Sequence, residues 1–243
     1  EKKPALVSVM ASNNESGVLQ PWSDLAEICR EHQVRFHSDA SQWLGKIDAT
    51  GLAHCDYVTG SAHKFGGPKG CGFLLLADAS ESFPLLHGGP QEQARRAGTE
   101  NYPAIEAMVT ALENLAPQLS LIRSVQQPLR DAFIQQMKAT FPELRIISEN
   151  APRLWNTVLM VMPEHSNLKW LTRLSRLGFA ISTGSACSTG KEGSSVVVNA
   201  LGASWEELRR VVRISGGWQT TSSEWQDLAD ALKRVSRDLG IRA

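Results

Sequence analysis

Apolar and polar positions along this chain repeat with two periods, and the period switches several times. Ala5 to Met10 is a short apolar run. From Pro21 to His32, Leu25, Ile28 and Cys29 recur at helical spacing, and Pro21 suits a helical first turn. Val34 to His37 predicts a second strand, and Asp56 to Thr59 and Phe73 to Leu76 predict two short buried ones. Strand and helix thus alternate over residues 1–115, which argues for an α/β fold with a mostly parallel sheet and flanking helices.

From Ile105 the pattern changes. Helices are expected over Ile105–Leu115, Leu121–Thr140, Asn167–Leu177 and Val196–Leu201. Strands are expected at Leu144–Ile147, Trp155–Met162 and Val211–Ile214. A last helix opens on Thr221-Ser222-Ser223-Glu224, a capping-box pattern. Its Trp225, Leu228, Ala229, Leu232 and Val235 form a stripe that reads as core. Residues 116–243 are therefore expected to form a small α+β C-terminal domain, beside residues 1–115 as part of a large domain.

In a parallel sheet, ligands sit beyond the carboxyl ends of the strands. Three polar stretches follow strand candidates: Asn13-Asn14-Glu15, Asp39-Ala40-Ser41-Gln42 and Ser61-Ala62-His63-Lys64. They are expected to converge on one cleft. Glycines follow Lys64 closely, at Gly66, Gly67, Gly70 and Gly72, so the backbone can turn sharply there and approach a ligand. A lysine amine held on such a turn can form a Schiff base with a carbonyl. Taken alone, Lys64 reads first as a solvated loop side chain. Asp39 is expected to be a carboxylate buried at a strand end, which needs a partner or a cation. A protonated pyridine nitrogen is one such partner, and Gln42 could bond a ring oxygen. By itself an aspartate after a strand is most often a turn former or helix cap.

Two further loops carry chemistry. His87 to Glu92 and Arg95 to Asn101 mix glycine, arginine and hydroxyl, the composition of an anion site or of an ordinary charged loop. Ser182 to Gly193 is small, polar and glycine-rich around Cys187. Cys29, Cys55 and Cys71 lie beside apolar neighbours and are expected to be inert core thiols. Cys187 has no such surround, and an exposed thiol in a suitable electrostatic setting can act as a nucleophile.

Composition narrows the field. The chain has 243 residues with 25 basic and 25 acidic side chains, so no net field favours nucleic acid or an anionic membrane. No apolar run approaches the length of about 18 residues that a membrane span needs. The start, Glu1-Lys2-Lys3-Pro4, lacks the apolar core of a secretory leader. Four dispersed cysteines form no metal-ligand spacing and no disulfide framework, so a reducing, cytoplasmic setting is expected and no metal.

Six stretches, taken together, resemble the NifS/IscS-type cysteine desulfurases of the class V aminotransferase group of fold-type I pyridoxal phosphate enzymes. They are Asn13-Asn14-Glu15-Ser16-Gly17, His37 to Gln42, Ser61 to Lys64 with Gly67-Pro68-Lys69-Gly70, Arg96 to Asn101, Ser182 to Cys187, and Val212-Arg213-Ile214-Ser215. They run in family order along the whole chain, and the cysteine loop resembles that of the long-loop subgroup. The resemblance implies pyridoxal phosphate as cofactor, held covalently by Lys64, with Asp39 on the pyridine nitrogen and Gln42 on the ring hydroxyl. It implies Ser61 and His63 on the phosphate, and Thr99 on the phosphate bound by the other subunit of a homodimer. Asn14 and Arg213 would hold the carboxylate of the substrate, L-cysteine. Cys187 would take the sulfur as a persulfide and pass it to a sulfur-acceptor protein, such as an iron–sulfur scaffold.

Two departures stand out. Family members carry a long segment before the position of Ala5, with a ring-stacking histidine and a phosphate-binding threonine loop, so the chain is expected to be a C-terminal portion. Gly216-Gly217-Trp218 also differs from the usual continuation after Arg213, where an arginine commonly follows the glycine. Another class V activity, an aminotransferase or a selenocysteine lyase, is one alternative. A non-catalytic interaction protein is the other.

Overall fold

The computed structural model describes residues 3–78, 86–184 and 195–241. The chain divides into two compact units, residues 1–12 with 20–120 and residues 13–19 with 121–243.

The first unit is built on a four-stranded sheet in the order β1 (Leu6–Met10), β2 (Arg35–Asp39), β3 (Tyr57–Ser61), β4 (Gly72–Leu76). The first three strands are parallel, with Met10 opposite Asp39 and Asp39 opposite Thr59. β4 returns antiparallel to β3, pairing Gly72 with Ser61. The expected mostly parallel sheet is present. Period-2 alternation sends Phe36 and Ser38 inward and leaves Arg35 and Asp39 exposed.

Helix α1 (Trp22–Glu31) lies against β1 and β2. Of the expected face Cys29 is buried, Leu25 half-buried and Ile28 half exposed; the residues it buries are Trp22, Ala26 and Cys29. Trp22 in the first turn sets this face, packing edge-on against Trp43 with ring centroids 5.5 Å apart. β4 also departs from expectation. Leu74 and Leu75 are exposed, because β4 forms one edge of the sheet. A short segment α2 (Gln91–Ala94), left-handed at Glu92, Gln93 and Ala94, precedes α3 (Tyr102–Leu115), which Asn101 caps by accepting from the Ala104 amide.

The second unit has an antiparallel sheet β5 (Arg145–Ile146), β6 (Thr157–Val161), β7 (Val211–Ser215), in that order. All five residues of β6 are buried. Val158 and Met160 join Val212 and Ile214 in a core with α4 (Leu119–Thr140), α5 (Asn167–Arg176) and α8 (Ser222–Asp238). The alternate residues Leu159, Val161 and Val211 pack instead with Val198 of α6 (Val196–Ala200) and Leu208 of α7 (Trp205–Leu208). Alternation along β7 therefore sets Arg213 on the α6 side of the sheet, away from the larger core. The α8 stripe is buried as expected, and the Thr221–Glu224 capping box is formed in both directions. Among the described residues, no helix is long and apolar enough to cross a membrane.

Candidate active site

In the first unit, five of the candidate residues sit where two adjacent parallel strands end. Asp39 is the last residue of β2, and Gln42 lies in the turn that follows. Ser61 ends β3, and His63 and Lys64 lie in the single 3-10 turn after it. The Ala40 amide donates to the Thr59 carbonyl at 2.9 Å, keeping the two strand ends in register. The Ala62 carbonyl accepts from both Phe65 and Gly67, which folds the lysine turn back on itself. A Cβ on Gly67 would lie 2.9 Å from that of Ala62, so this return needs glycine.

The side chains themselves remain available. Asp39 Oδ1 accepts from the Ser41 amide at 2.9 Å, while Oδ2 has no hydrogen bond among the described residues. The same is true of Ser61 Oγ, the His63 ring, the Gln42 amide and Lys64 Nζ. Lys64 is half-buried and His63 exposed. Asp39 is exposed, not buried as expected, because the inward positions of β2 belong to its even-numbered neighbours. An amine that can form a Schiff base, a carboxylate that can accept from a pyridinium, and a hydroxyl and an imidazole that can donate, all at neighbouring strand ends, fit a phosphorylated pyridine aldehyde.

Arg96 shapes the next loop. Its Nη1 donates to the carbonyls of Ala97 and Gly98 at 3.1 and 2.9 Å, and its Nη2 lies 3.6 Å from Glu92. The arginine thus organises its own turn, where Gly98 has φ of +94°. Thr99 follows in an exposed position.

The second unit holds Asn14 and Arg213. Asn13 Oδ1 accepts from the amides of Glu15 and Ser16 and from Ser16 Oγ, all within 3.0 Å, closing a tight Asx turn. That turn presents the Asn14 carbonyl to Arg213 Nη1 at 2.9 Å. The Arg213 backbone is bonded in both directions to Ser182, at 2.7 and 3.1 Å. Burial holds the Arg213 guanidinium below its ordinary pKa, and Glu15 opposes that shift. Glu15 is itself buried, with Oε2 accepting from Ser195 Oγ at 2.6 Å. At Gly184, φ is +120° and an added Cβ would stand 2.9 Å from the same oxygen. Gly184 and Ser195 are the described residues on either side of the segment that contains Cys187, and Cys187 lies outside the described residues.

Of the other thiols, Cys29 and Cys55 are buried, and burial pushes Cys55 up to about 11. Cys71 is only half-buried, its Sγ 3.9 Å from Met108 Sδ, so it is not the fully enclosed core thiol expected. Ser195 and Lys46 stood in none of the candidate stretches, and Glu15 stood in one without a role of its own. Lys46 had a signal in the sequence, as the one charge in Trp43-Leu44-Gly45-Lys46-Ile47. The bond between Ser195 and Glu15 had none, since 180 positions separate them.

The family model described as Aminotransferase class-V matches residues 1–228. A cysteine desulfurase IscS from Methanosarcina thermophila is 34% identical over 236 residues, covering 96% of this chain and 58% of that protein. The structure of a NifS-like protein from Rickettsia africae ESF-5 superposes with a TM-score of 0.86 at 29% identity, over 96% of this chain and 62% of that one. SspA, solved in complex with cysteine, matches with a TM-score of 0.68 at 30% identity, over 86% of this chain and 58% of its own. The chain spans 53% to 62% of the length of the curated relatives it matches.

Proposed function

Because this chain belongs to the aminotransferase class-V family, we propose that it carries the lysine and cysteine machinery of a pyridoxal-phosphate-dependent cysteine desulfurase. The observation that carries the reading is the placement of Asp39, Gln42, Ser61, His63 and Lys64 at the ends of β2 and β3, with Asp39 Oδ2 and the side-chain polar atoms of the other four unbonded among the described residues. Relatives that match over nearly the whole chain bear the name cysteine desulfurase, and SspA was solved with cysteine.

When bound, pyridoxal phosphate supplies an electron sink that weakens bonds at an attached amino acid. Lys64 would hold it covalently, with Asp39 Oδ2 facing the pyridine nitrogen and Gln42 facing the ring hydroxyl. Ser61 and His63 would bind its phosphate. Thr99 would reach the phosphate in the partner subunit of a homodimer. Arg213, with Asn14, would take the carboxylate of L-cysteine through charge-assisted bonds. The Cys187 thiolate attacks the substrate sulfur and forms an S–S bond as the substrate Cβ–S bond breaks. The carbon keeps that electron pair, takes up a proton and leaves as alanine. The persulfide on Cys187 then passes its outer sulfur to an acceptor thiol, as iron–sulfur cluster assembly in a cytoplasmic setting would need.

The test is borohydride reduction of the natural protein that contains this chain, followed by peptide mapping. The pyridoxyl group should be found on Lys64. Cys187→Ser should abolish alanine release from L-cysteine and keep the substrate-induced change in cofactor absorbance, because serine is a far poorer nucleophile toward sulfur. A pyridoxyl group on another lysine would overturn the cofactor assignment. Alanine release at the wild-type rate from Cys187→Ser would instead favour another class V activity.

A further inference from the structure

We propose that Gly45-Lys46 is a staple that sets the spacing of the two cofactor loops, with Lys46 a positioning residue for Gln42 and Lys64. This rests on the pyridoxal phosphate reading above. Lys46 is only 7% exposed. Its Nζ donates to the Gln42 carbonyl at 3.0 Å and to the Lys64 carbonyl at 3.3 Å. Those two carbonyls belong to different loops, one after β2 and one after β3. One ammonium therefore joins the backbone of the ring-contacting residue to the backbone of the cofactor lysine.

Gly45 makes the approach possible. Its φ is +70°, and a Cβ there would fall 2.5 Å from the Phe65 Cβ and 3.1 Å from Leu115 Cδ1. Phe65 is the residue after Lys64 and is 1% exposed. Any side chain at position 45 would push the loop of Gln42 away from the turn of Lys64. The loop is also fixed from within, since Trp43 and Leu44 both donate to the Ala40 carbonyl and Lys46 and Ile47 both donate to that of Trp43.

The arrangement is costly. Burial, with the nearby Lys64 charge, brings the Lys46 amine down to about 8. A methionine would fill similar space without a desolvated charge. What methionine cannot do is bond two carbonyls at once, whereas an ammonium carries three donors. A lysine at this position thus favours a defined loop spacing over the most stable core.

The experiment compares Lys46→Met and Lys46→Gln with wild type in the natural protein that contains this chain. It measures the melting temperature without cofactor, pyridoxal phosphate affinity by absorbance titration, and the yield of borohydride-trapped pyridoxyl-Lys64. Lys46→Met should melt at or above the wild-type temperature at pH 7, yet bind pyridoxal phosphate at least tenfold more weakly and trap less of it. Lys46→Gln, which keeps one donor group for the carbonyls, should fall between, and it carries the test if the methionine variant does not fold. Wild-type affinity and trapping in a folded variant overturn the inference. So does a fall in affinity that only tracks a fall in melting temperature across both variants, which marks a purely structural lysine. If wild type itself traps nothing on Lys64, the cofactor reading fails and this inference fails with it.

Discussion

Ser195 Oγ donates to Glu15 Oε2 across 2.6 Å in the interior of the second unit, joining residues 180 positions apart. The same hydroxyl accepts from the Val198 amide at 3.1 Å and so caps α6. Ser195→Ala removes the cap and leaves a buried carboxyl oxygen without its donor. A lost cap costs about 1 kcal/mol, and an unsatisfied buried group about 1–3 kcal/mol more. Denaturant unfolding should show a loss of about 2–4 kcal/mol. A change within about 0.5 kcal/mol, the range of an ordinary surface substitution, would mean that Glu15 finds another donor.

Arg213 offers a second measurement. Its guanidinium is aimed by the Asn14 carbonyl and its backbone is locked to Ser182. Arg213→Lys keeps a charge but loses the planar fork that matches a carboxylate. KM for L-cysteine should rise roughly tenfold or more, where each tenfold step is about 1.4 kcal/mol of binding. The effect on kcat should be smaller. An unchanged KM would remove Arg213 from the carboxylate site.

The buried Lys46 makes stability depend on pH. Its amine titrates at about 8 in the folded chain against 10.5 ordinarily. Between those values the unfolded chain binds more protons, so stability rises with pH there. The cost of the buried charge is fully present below about pH 8 and relieved as pH rises toward 10.5. The gap corresponds to roughly 3 kcal/mol. Unfolding free energies across this window should climb for wild type and flatten for Lys46→Met. Equal slopes would mean that Lys46 is hydrated.

The sequence by itself determined the kind and order of nearly every element. Periodicity is a property of neighbouring residues, and it marked β1 to β3, the long helix α4 and the core stripe of α8. It also set out the motif residues from Asp39 to Lys64, because each lies within a few positions of a strand end. Burial was decided only by tertiary packing. Asp39 is exposed because Phe36 and Ser38 take the inward face of β2, and Leu74 and Leu75 are exposed because β4 is an edge. α1 turned its face to suit Trp22. Residues 13–19 joined the second unit although they follow β1 directly, held by bonds such as Leu154 to Gly17 and Leu19 to Pro152. The contacts of Lys46 with Lys64 and of Ser195 with Glu15 exist only once distant segments pack. Hydrogen bonding and desolvation act on spatial neighbours, and chain spacing does not encode who those neighbours are.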